Sequence, residues 1–306
     1  MSKNIFQIID IGSNTVCGQF LAWDKQKETL DTLSIRANVL KLGRHLIGEK
    51  KIPSTAVIKL LDSIKSFLKE SNTFAKCHNF IIATSPLRQA QNAREIIKLI
   101  EKECSIKIHV LTGEEEGLLA FKSARYCFQH LPNHSLICDL GGGSFEMVYG
   151  GTKCLYQNSS WPHGLSKIKQ KLSWPSKPTL EKSIEAREYC RSLLKVFFEQ
   201  KPFAIETIVV TSSILKLALK SLYPEIDLQK VSAPKINLSE MIHLENNIYT
   251  EKTVIPFQKQ SEDLLCLGLI FFQEMLKKTN IESLYVCPWS IREAYVWENL
   301  KNSSIT

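Results

Sequence analysis

The sequence predicts an α/β protein built from two similar halves, and two observations support this class. Short apolar runs alternate with longer segments whose apolar residues recur every three or four positions, the pattern of strands alternating with helices. In addition, IIDIGSNTVCGQF near the start is echoed by ICDLGGGSFEMVY near the middle. Two copies of a strand–turn–strand, one opening each half, indicate two similar domains that face one another.

Bulk properties agree with two domains and narrow the class of partner. At 306 residues the chain exceeds what most single cores reach. The formal net charge of +8 favours polyanionic partners, with a lysine-rich surface that binds nothing as the alternative. Neither a signal segment nor an apolar run of membrane length is present, and the 9 cysteines lack CxxC spacing. We therefore expect a cytoplasmic protein with buried thiols and no membrane partner.

In the first half, strands and helices follow one another from the start. Strands are predicted at NIFQIID, TVCGQFLAW, TLDTLSIRANVLKL, NFIIAT and IKIHVL. Helices are predicted at STAVIKLLDSIKSFLKE after Pro53, at REIIKLIEKE and at GEEEGLLAFKSARY. The first domain is expected to span residues 1–127.

The second half repeats the alternation and is expected to form a domain over residues 128–306. Strands are predicted at SLICDL, FEMVYG, KCLYQNSS and TIVV. Helices are predicted at 177–200, SSILKLALKSL, 238–248, 261–278 and 288–300. The last of these helices is expected to pack back on the first domain.

The two echoed turns favour phosphate binding. Consecutive small residues allow backbone N–H groups to point into one concavity that holds anions. Such donors would come from Ser13, Asn14 and Thr15 in the first turn and from Gly142, Gly143 and Ser144 in the second. Gly12 and Gly141, which open the two turns, are further phosphate-binding candidates. A tight hairpin with no ligand is the alternative reading of either turn alone. Neither a P-loop nor a dinucleotide-binding fingerprint occurs in the chain.

Carboxylates stand beside both turns. Asp10 and Asp139 occupy matching positions in the two copies, and Glu146 follows the second turn. Beside phosphate these groups would repel the ligand unless a cation intervened, so Mg²⁺ is the metal expected. Hydrogen bonding within the turns is the alternative role for the two aspartates, and a solvent-facing strand position is the alternative for Glu146.

The segment VLTGEEEGLLAF contains one acidic residue that helix capping does not explain. Thr112 and Glu115 fit a capping box, and Glu114 complements the helix dipole in the first turn. Glu116 is left over beside a glycine, which makes it a candidate catalytic residue, with a structural role as the alternative. Arg88 follows a predicted strand end, where it would contact phosphate oxygens or lie at the surface. His163, Lys167, Lys169 and Lys171 form a second basic candidate.

Taken in order, IDIGSNT, ATSPLRQAQNA, TGEEEG, DLGGGSFE, WPHG and IREA resemble the motifs of the exopolyphosphatase / guanosine pentaphosphate phosphatase family. The resemblance spans nearly the whole chain and implies the short, two-domain form. It implies the actin-like ATPase (ASKHA, ribonuclease H-like) α/β fold, with two similar domains around a central cleft. It also implies a homodimer.

The resemblance further implies Mg²⁺-dependent removal of a terminal phosphoryl group from polyphosphate or guanosine pentaphosphate. By position, Glu116 matches the family's catalytic base and Arg88 its phosphate-contacting arginine. Asp139 and Glu146 match the acidic residues associated with metal and water, and Asp10 through Thr15 match the first phosphate loop. No specific nucleic acid is expected as a partner.

The chain departs from the family at substrate-side positions. Thr211-Ser212-Ser213 stand where the family has Gly-Gly-Thr, and Arg292-Glu293-Ala294 replace a terminal Arg-Glu-Gly. These changes keep open a polyphosphate- or nucleotide-binding regulatory protein. A phosphotransferase of the same superfamily is a second rival, but such enzymes need a Gly-Gly turn to line an adenosine pocket, and Thr211-Ser212-Ser213 argues against it.

Overall fold

The protein is described by a computed structural model over residues 4–46, 50–128, 130–199, 204–251 and 262–302. The strands are β1 (Asn4–Ile11), β2 (Thr15–Asp24), β3 (Thr29–Val39), β4 (Cys77–Ala83), β5 (Ile108–Val110), β6 (Ser135–Leu140), β7 (Phe145–Gly150), β8 (Leu155–Trp161), β9 (Thr207–Val210), β10 (Lys235–Asn237) and β11 (Ser283–Val286). The helices are α1 (Ser54–Ser71), α2 (Ser85–Gln89), α3 (Ala93–Cys104), α4 (Gly113–Cys127), α5 (Leu165–Lys171), α6 (Leu180–Glu199), α7 (Ser213–Leu222), α8 (Leu238–Tyr249), α9 (Glu262–Thr279) and α10 (Ile291–Asn302). A short 3₁₀ helix covers Leu42–Leu46.

The chain divides into two compact units. The first contains the described part of residues 1–119 together with 291–302, and the second contains residues 120–290. The boundary lies between Leu119 and Ala120, inside α4, whereas the sequence predicted a boundary after residue 127. Because a helix can cross a boundary without breaking its hydrogen bonds, no Gly or Pro marks this position in the sequence.

Both units contain the same core arrangement of strands. The first sheet has the order β3-β2-β1-β4-β5, with β2 antiparallel to both neighbours and β1, β4 and β5 parallel. The second has the order β10-β11-β9-β6-β7-β8, with β7 antiparallel to its neighbours and β6, β9 and β11 parallel. Apart from the edge strand β10, the two orders correspond strand for strand. The predicted actin-like, ribonuclease H-like fold is confirmed.

In the first unit, helices cover both faces of the sheet. Leu60, Ile64 and Phe67 on the buried face of α1 pack against strand residues such as Ile9. Since side chains alternate along a strand, Ile8, Asp10, Cys17 and Gln19 lie on the opposite face. Helix α10 covers that face, where Trp297 meets Trp23 edge to face with ring centroids 5.0 Å apart.

In the second unit, α9 is the central helix. It is buried on all sides from Leu265 to Leu276, and α5, α6, α7 and α8 pack around it. Its first turn anchors α5, because Lys169 forms an ion pair with Asp263 and the indole N–H of Trp174 donates to the Asp263 carbonyl at 2.9 Å. Lys169 therefore fixes α5 on α9, instead of serving as a purely basic surface group.

Most predicted elements are present within a few residues, and the differences concern short segments. β3 ends at Val39, and α6 begins at Leu180 inside the predicted 177–200, whose last residue lies outside the described part. Helices α2 and α5 and strands β10 and β11 were not predicted, because segments of three to seven residues carry little readable periodicity. Within the described ranges, no helix has the length and apolarity needed to traverse a lipid bilayer.

Candidate active site

The two echoed sequences form the same hairpin. In the first, β1 pairs with β2, and the Gly12 N–H donates to the Thr15 carbonyl at 3.0 Å. In the second, β6 pairs with β7, and the Gly141 N–H donates to the Ser144 carbonyl, also at 3.0 Å. The sequence prediction of a repeated strand–turn–strand is therefore confirmed at the level of individual hydrogen bonds.

In the first turn, the carbonyl groups are bonded to the segment that follows β3. The Ser13 carbonyl accepts from Gly43 N–H at 2.8 Å, and the Asn14 carbonyl accepts from Leu40 and Lys41 N–H at 3.0 and 2.9 Å. The Ser13 hydroxyl is buried and, among the described residues, has no hydrogen-bond partner. A buried hydroxyl of this kind costs free energy unless a ligand supplies its partner.

In the second turn, the carbonyl groups are bonded to the start of α5. Leu165 N–H donates to the Gly141 carbonyl and Ser166 N–H to the Gly142 carbonyl, both at 2.9 Å. Gly164 lies against this turn so closely that a Cβ there would be 2.4 Å from Gly142 C and Gly143 N. The WPHG segment therefore provides the close approach of backbone that holds the glycine turn.

These carbonyl contacts fix the direction of the amide groups. In a trans peptide the carbonyl and the following N–H point in opposite directions, and the described residues contain no cis peptide bond. With the Gly141 and Gly142 carbonyls directed at α5, the N–H groups of Gly142 and Gly143 point away from it. The Asn14 N–H likewise points away from Gly43. Both turns thus present N–H groups as an anion-binding concavity requires.

Asp10 lies at the end of β1, next to the first turn. Its Oδ2 is 3.6 Å from Arg292 Nη1, while its Oδ1 is buried without a hydrogen-bond partner in the described part of the chain. The pKa of Asp10 is raised above its usual range because the carboxyl group is buried, and the Arg292 guanidinium offsets only part of this rise. An acceptor oxygen that is buried and unpaired fits a role in binding a cation or a protonated ligand oxygen.

Glu116 and Arg88 form a buried ion pair. Arg88 Nη1 donates to Glu116 Oε2 at 2.6 Å and to the Leu111 carbonyl at 2.7 Å, and Glu116 is only 7% exposed. The predicted capping box is confirmed, since Thr112 N–H donates to Glu115 Oε2 at 2.8 Å and Glu115 N–H to Thr112 Oγ1 at 3.1 Å. Glu115 is therefore engaged in capping α4, whereas Glu116 faces the buried side together with Arg88.

Asp139 and Glu146 stand directly opposite each other on the β6–β7 hairpin. Glu146 is buried, and its Oε1 accepts a hydrogen bond from the Ser160 hydroxyl of β8 at 2.8 Å. Carboxylate oxygens held side by side are the ligands that Mg²⁺ prefers. Within the described ranges, no three His, Cys, Asp or Glu side chains converge on one point.

In each unit the candidate residues follow the carboxyl ends of parallel strands. Asp10, Arg88 and Glu116 lie at or after the ends of β1, β4 and β5. Ligands of open α/β sheets bind at this edge. In the second unit, an open pocket of about 700 Å³ lies at the opposite, amino-terminal edge, where Thr207 and Ser283 begin β9 and β11.

The Thr211–Ser213 segment acts as a helix cap after β9. The Ser212 hydroxyl donates to the Leu140 carbonyl at 2.7 Å and accepts from Ile214 N–H at 3.4 Å. Both Thr211 and Ser212 are buried. The serine side chain thus connects the start of α7 to the strand that leads into the second turn.

A sequence model of the Ppx/GppA phosphatase family matches residues 22–303. The chain belongs to this family. Exopolyphosphatase 1 of Mycobacterium leprae is 23% identical over 316 residues, covering 97% of this chain and 90% of that protein. A bifunctional 3-dehydroquinate synthase/phosphatase of Fusobacterium nucleatum is 23% identical over 283 residues, covering 88% of this chain and 42% of that protein.

Solved Ppx/GppA structures share the fold. An exopolyphosphatase from Cytophaga hutchinsonii has a TM-score of 0.83 at 20% identity and covers 98% of this chain and 99% of its own. The Aquifex aeolicus Ppx/GppA family member has a TM-score of 0.78 at 20% identity, with coverage of 99% and 100%. At these identities the likeness establishes the fold, and the chemistry has to be argued from this chain's own residues.

The structure brings together several of the residues that the sequence predicted for the site of this Ppx/GppA chain, and it adds others that contact them. Arg88 and Glu116 are brought together, as are Asp139 and Glu146, and Asp10 lies beside its turn. The sequence did not predict the residues that contact these side chains or turns, which are Arg292, Gln19, Ser160 and Gly164. Two signals were available: the IREA motif contains Arg292, and Gln19 is a polar residue inside an otherwise apolar strand.

Proposed function

We propose that the protein hydrolyses the terminal phosphoryl group of inorganic polyphosphate, guanosine pentaphosphate or both, with Mg²⁺ as cofactor. The observation that carries this proposal is Glu116, buried at the carboxyl edge of the first sheet and ion-paired to Arg88. Relatives along nearly the whole chain are named exopolyphosphatases, which supports polyphosphate as substrate. The net charge of +8 suits a polyanionic substrate.

Glu116 is proposed as the general base. Water attacks the terminal phosphorus, an O–P bond forms, and the bond from phosphorus to the bridging oxygen breaks. The water proton passes to the Glu116 carboxylate, and the bridging oxygen leaves with the electron pair as part of the shortened chain. A guanidinium has five N–H donors, so Arg88 can hold Glu116 and also contact an equatorial phosphoryl oxygen.

The two turns are proposed to bind phosphate through their N–H groups. Backbone donors fixed by the Gly43 and α5 contacts cost no reorganisation when charge develops on the phosphoryl oxygens. The N–H groups of Gly12 and Gly141 are not among these donors, because they close the two hairpins by donating to the Thr15 and Ser144 carbonyls. The residues proposed to form the two phosphate-binding turns are Gly12, Ser13, Asn14, Thr15, Gly141, Gly142, Gly143 and Ser144.

Asp139 and Glu146 are proposed to hold Mg²⁺ in the second unit, and Asp10 is the corresponding oxygen donor of the first. The paired carboxylates and the unpartnered Asp10 Oδ1 fit an oxygen-binding cation. When bound, Mg²⁺ would neutralise charge on the phosphate chain. A homodimer and a cytoplasmic location stay predictions.

The test is phosphate release from long-chain polyphosphate and from guanosine pentaphosphate, each measured with Mg²⁺ and with EDTA. Wild type is expected to release phosphate from at least one substrate only with Mg²⁺, and Glu116→Gln to lose the activity. Release by Glu116→Gln equal to that of wild type would refute the assigned base. Binding of polyphosphate without release would favour the regulatory protein, and phosphate transfer from ATP to an acceptor would favour the phosphotransferase.

A further inference from the structure

The last described helix brings an arginine to the first phosphate turn. Arg292 is the second residue of α10, and its Nη1 lies 3.6 Å from Asp10 Oδ2. Both side chains are largely buried, at 17% and 16% exposure. An ion pair with this much burial is oriented by its surroundings more than an exposed pair would be.

Gln19 sets the orientation of Arg292. The Arg292 Nε donates to Gln19 Oε1 at 2.8 Å, while Gln19 Nε2 donates to Thr32 Oγ1 at 2.9 Å and to Glu293 Oε1 at 2.8 Å. Gln19 is fully buried on β2, on the same sheet face as Asp10. Because its amide is fixed at both ends, it presents the carbonyl to Arg292 in one direction.

The other carboxylate oxygen of Asp10, Oδ1, is buried beside the first turn without a hydrogen bond to the described part of the protein. Oδ1 and the Ser13 hydroxyl are both buried, and neither has a hydrogen-bond partner within the described residues. Holding Oδ2 restricts rotation of the carboxylate about the Cβ–Cγ bond. Arg292 thereby restricts where Oδ1 lies, although its ion pair is with the other oxygen.

We propose that Arg292 is a positioning residue for Asp10, keeping Oδ1 in place for the Mg²⁺–phosphate ligand of the first turn. This inference rests on the proposed function of that turn. Arg292 acts through Asp10, and Gln19 acts through Arg292, so the loss of either side chain should weaken cation binding without removing an oxygen ligand. Anchoring of α10 alone is the structural alternative, and it predicts a loss of stability with no change in cation affinity.

A double-mutant cycle tests the proposal with Mn²⁺ as the probe, its binding measured by electron paramagnetic resonance. Arg292→Met is expected to weaken Mn²⁺ affinity by about 10-fold, as loss of a residue that orients a ligand does. Gln19→Leu should weaken it by about 3-fold. Asp10→Asn/Arg292→Met should bind no more weakly than Asp10→Asn, because Arg292 has nothing left to position.

Arg191→Met is the matched control, since it removes an ion pair to Glu274 on α9 and touches neither turn. Equal Mn²⁺ affinities of Arg292→Met and Arg191→Met would overturn the proposal, as would additive effects in the cycle or no Mn²⁺ binding by wild type. If Arg292→Met fails to fold, Arg292→Gln gives the same comparison, because glutamine keeps a polar side chain but removes the positive charge that pairs with Asp10.

The outcomes separate this proposal from the proposed function. If wild type binds Mn²⁺ and the cycle shows the coupling but no phosphate is released from either substrate, the proposed function fails and the positioning role stands. If phosphate is released but the cycle is additive, the function stands and the positioning role fails.

Discussion

The two candidate phosphate-binding turns share one hydrogen-bonded hairpin, and backbone N–H groups of a later segment hold the carbonyl groups of each. They differ in the side chains they carry. The first turn has a buried Ser13 hydroxyl and an Asp10 carboxylate paired to an arginine. The second has three glycines, and Gly164 packs closely against two of them. One hairpin geometry can therefore carry polar side chains in one unit and closely packed glycine backbone in the other.

Because of this difference, mutations in the two turns should affect different properties of the protein. A turn supported by close backbone packing tolerates no added atom, so its mutations should act on stability. A turn that offers unpartnered side-chain groups should lose ligand binding with little loss of stability, because those groups make no bond within the protein. The three predictions below examine this contrast, beginning with the largest effect.

The largest effect is expected from removing a carboxylate, with a loss of kcat in the first unit and weaker Mg²⁺ binding in the second. Glu116→Gln removes the proposed base and should lower kcat for polyphosphate by about 10²–10⁴-fold while leaving half-saturating Mg²⁺ unchanged. Glu146→Gln should instead raise half-saturating Mg²⁺ by about 10-fold or more, because it removes a proposed ligand. Steady-state phosphate release over a range of Mg²⁺ concentrations measures both. Identical profiles for the two variants would show that the units do not divide these roles.

The next effect concerns the packing of the second turn. Gly164→Ala places a Cβ 2.4 Å from Gly142 C and Gly143 N, so backbone must move and the free energy of unfolding should fall by about 3 kcal/mol. Gly43→Ala is the matched change at the first turn, where the Cβ would meet the Ser13 Cβ at 3.0 Å and the cost should be about 1 kcal/mol. Urea unfolding measures both. A Gly164→Ala protein as stable as wild type would contradict the packing described for α5.

The smallest effect concerns the Ser13 hydroxyl. Ser13→Ala should change the free energy of unfolding by less than about 0.5 kcal/mol and raise KM for polyphosphate about 3- to 10-fold, the worth of one hydrogen bond. Ser123→Ala is the control, because the buried Ser123 hydroxyl donates to the Ser290 carbonyl at 2.8 Å. This control should lose about 1 kcal/mol of stability with KM unchanged. A destabilised Ser13→Ala with normal KM would indicate a structural hydroxyl.

The fold could be predicted from the sequence, and the candidate site residues could be selected from it, because both depend on local patterns. The echoed hairpins, the capping box of Thr112 and Glu115 and the alternation of elements involve residues close together in the chain. Glu116 could be separated from its acidic neighbours because capping explained those neighbours. In each case a local rule leaves one residue unexplained, and that residue is a candidate for function.

The supporting residues were not readable because their partners are distant in the chain. Gln19 bonds to Glu293 across 274 positions. Gly164 packs against Gly142 at the start of α5, a helix that the sequence did not predict. The unit boundary inside α4 likewise leaves no mark, because the residues on either side continue one helix. Such relations arise from tertiary packing, for which a single sequence contains no period or motif.

The placement of α10 has a consequence for how the protein is made. The first unit needs residues from the end of the chain to cover β1 and β2, since Gln19 meets Glu293 and Trp23 meets Trp297. A ribosome releases the amino-terminal residues first, at about 5–20 residues per second, so that sheet face stays open while the intervening residues 120–290 are translated. For many seconds the nascent chain therefore exposes apolar strand residues such as Ile8. The second unit, which is continuous in sequence, can finish folding before the first.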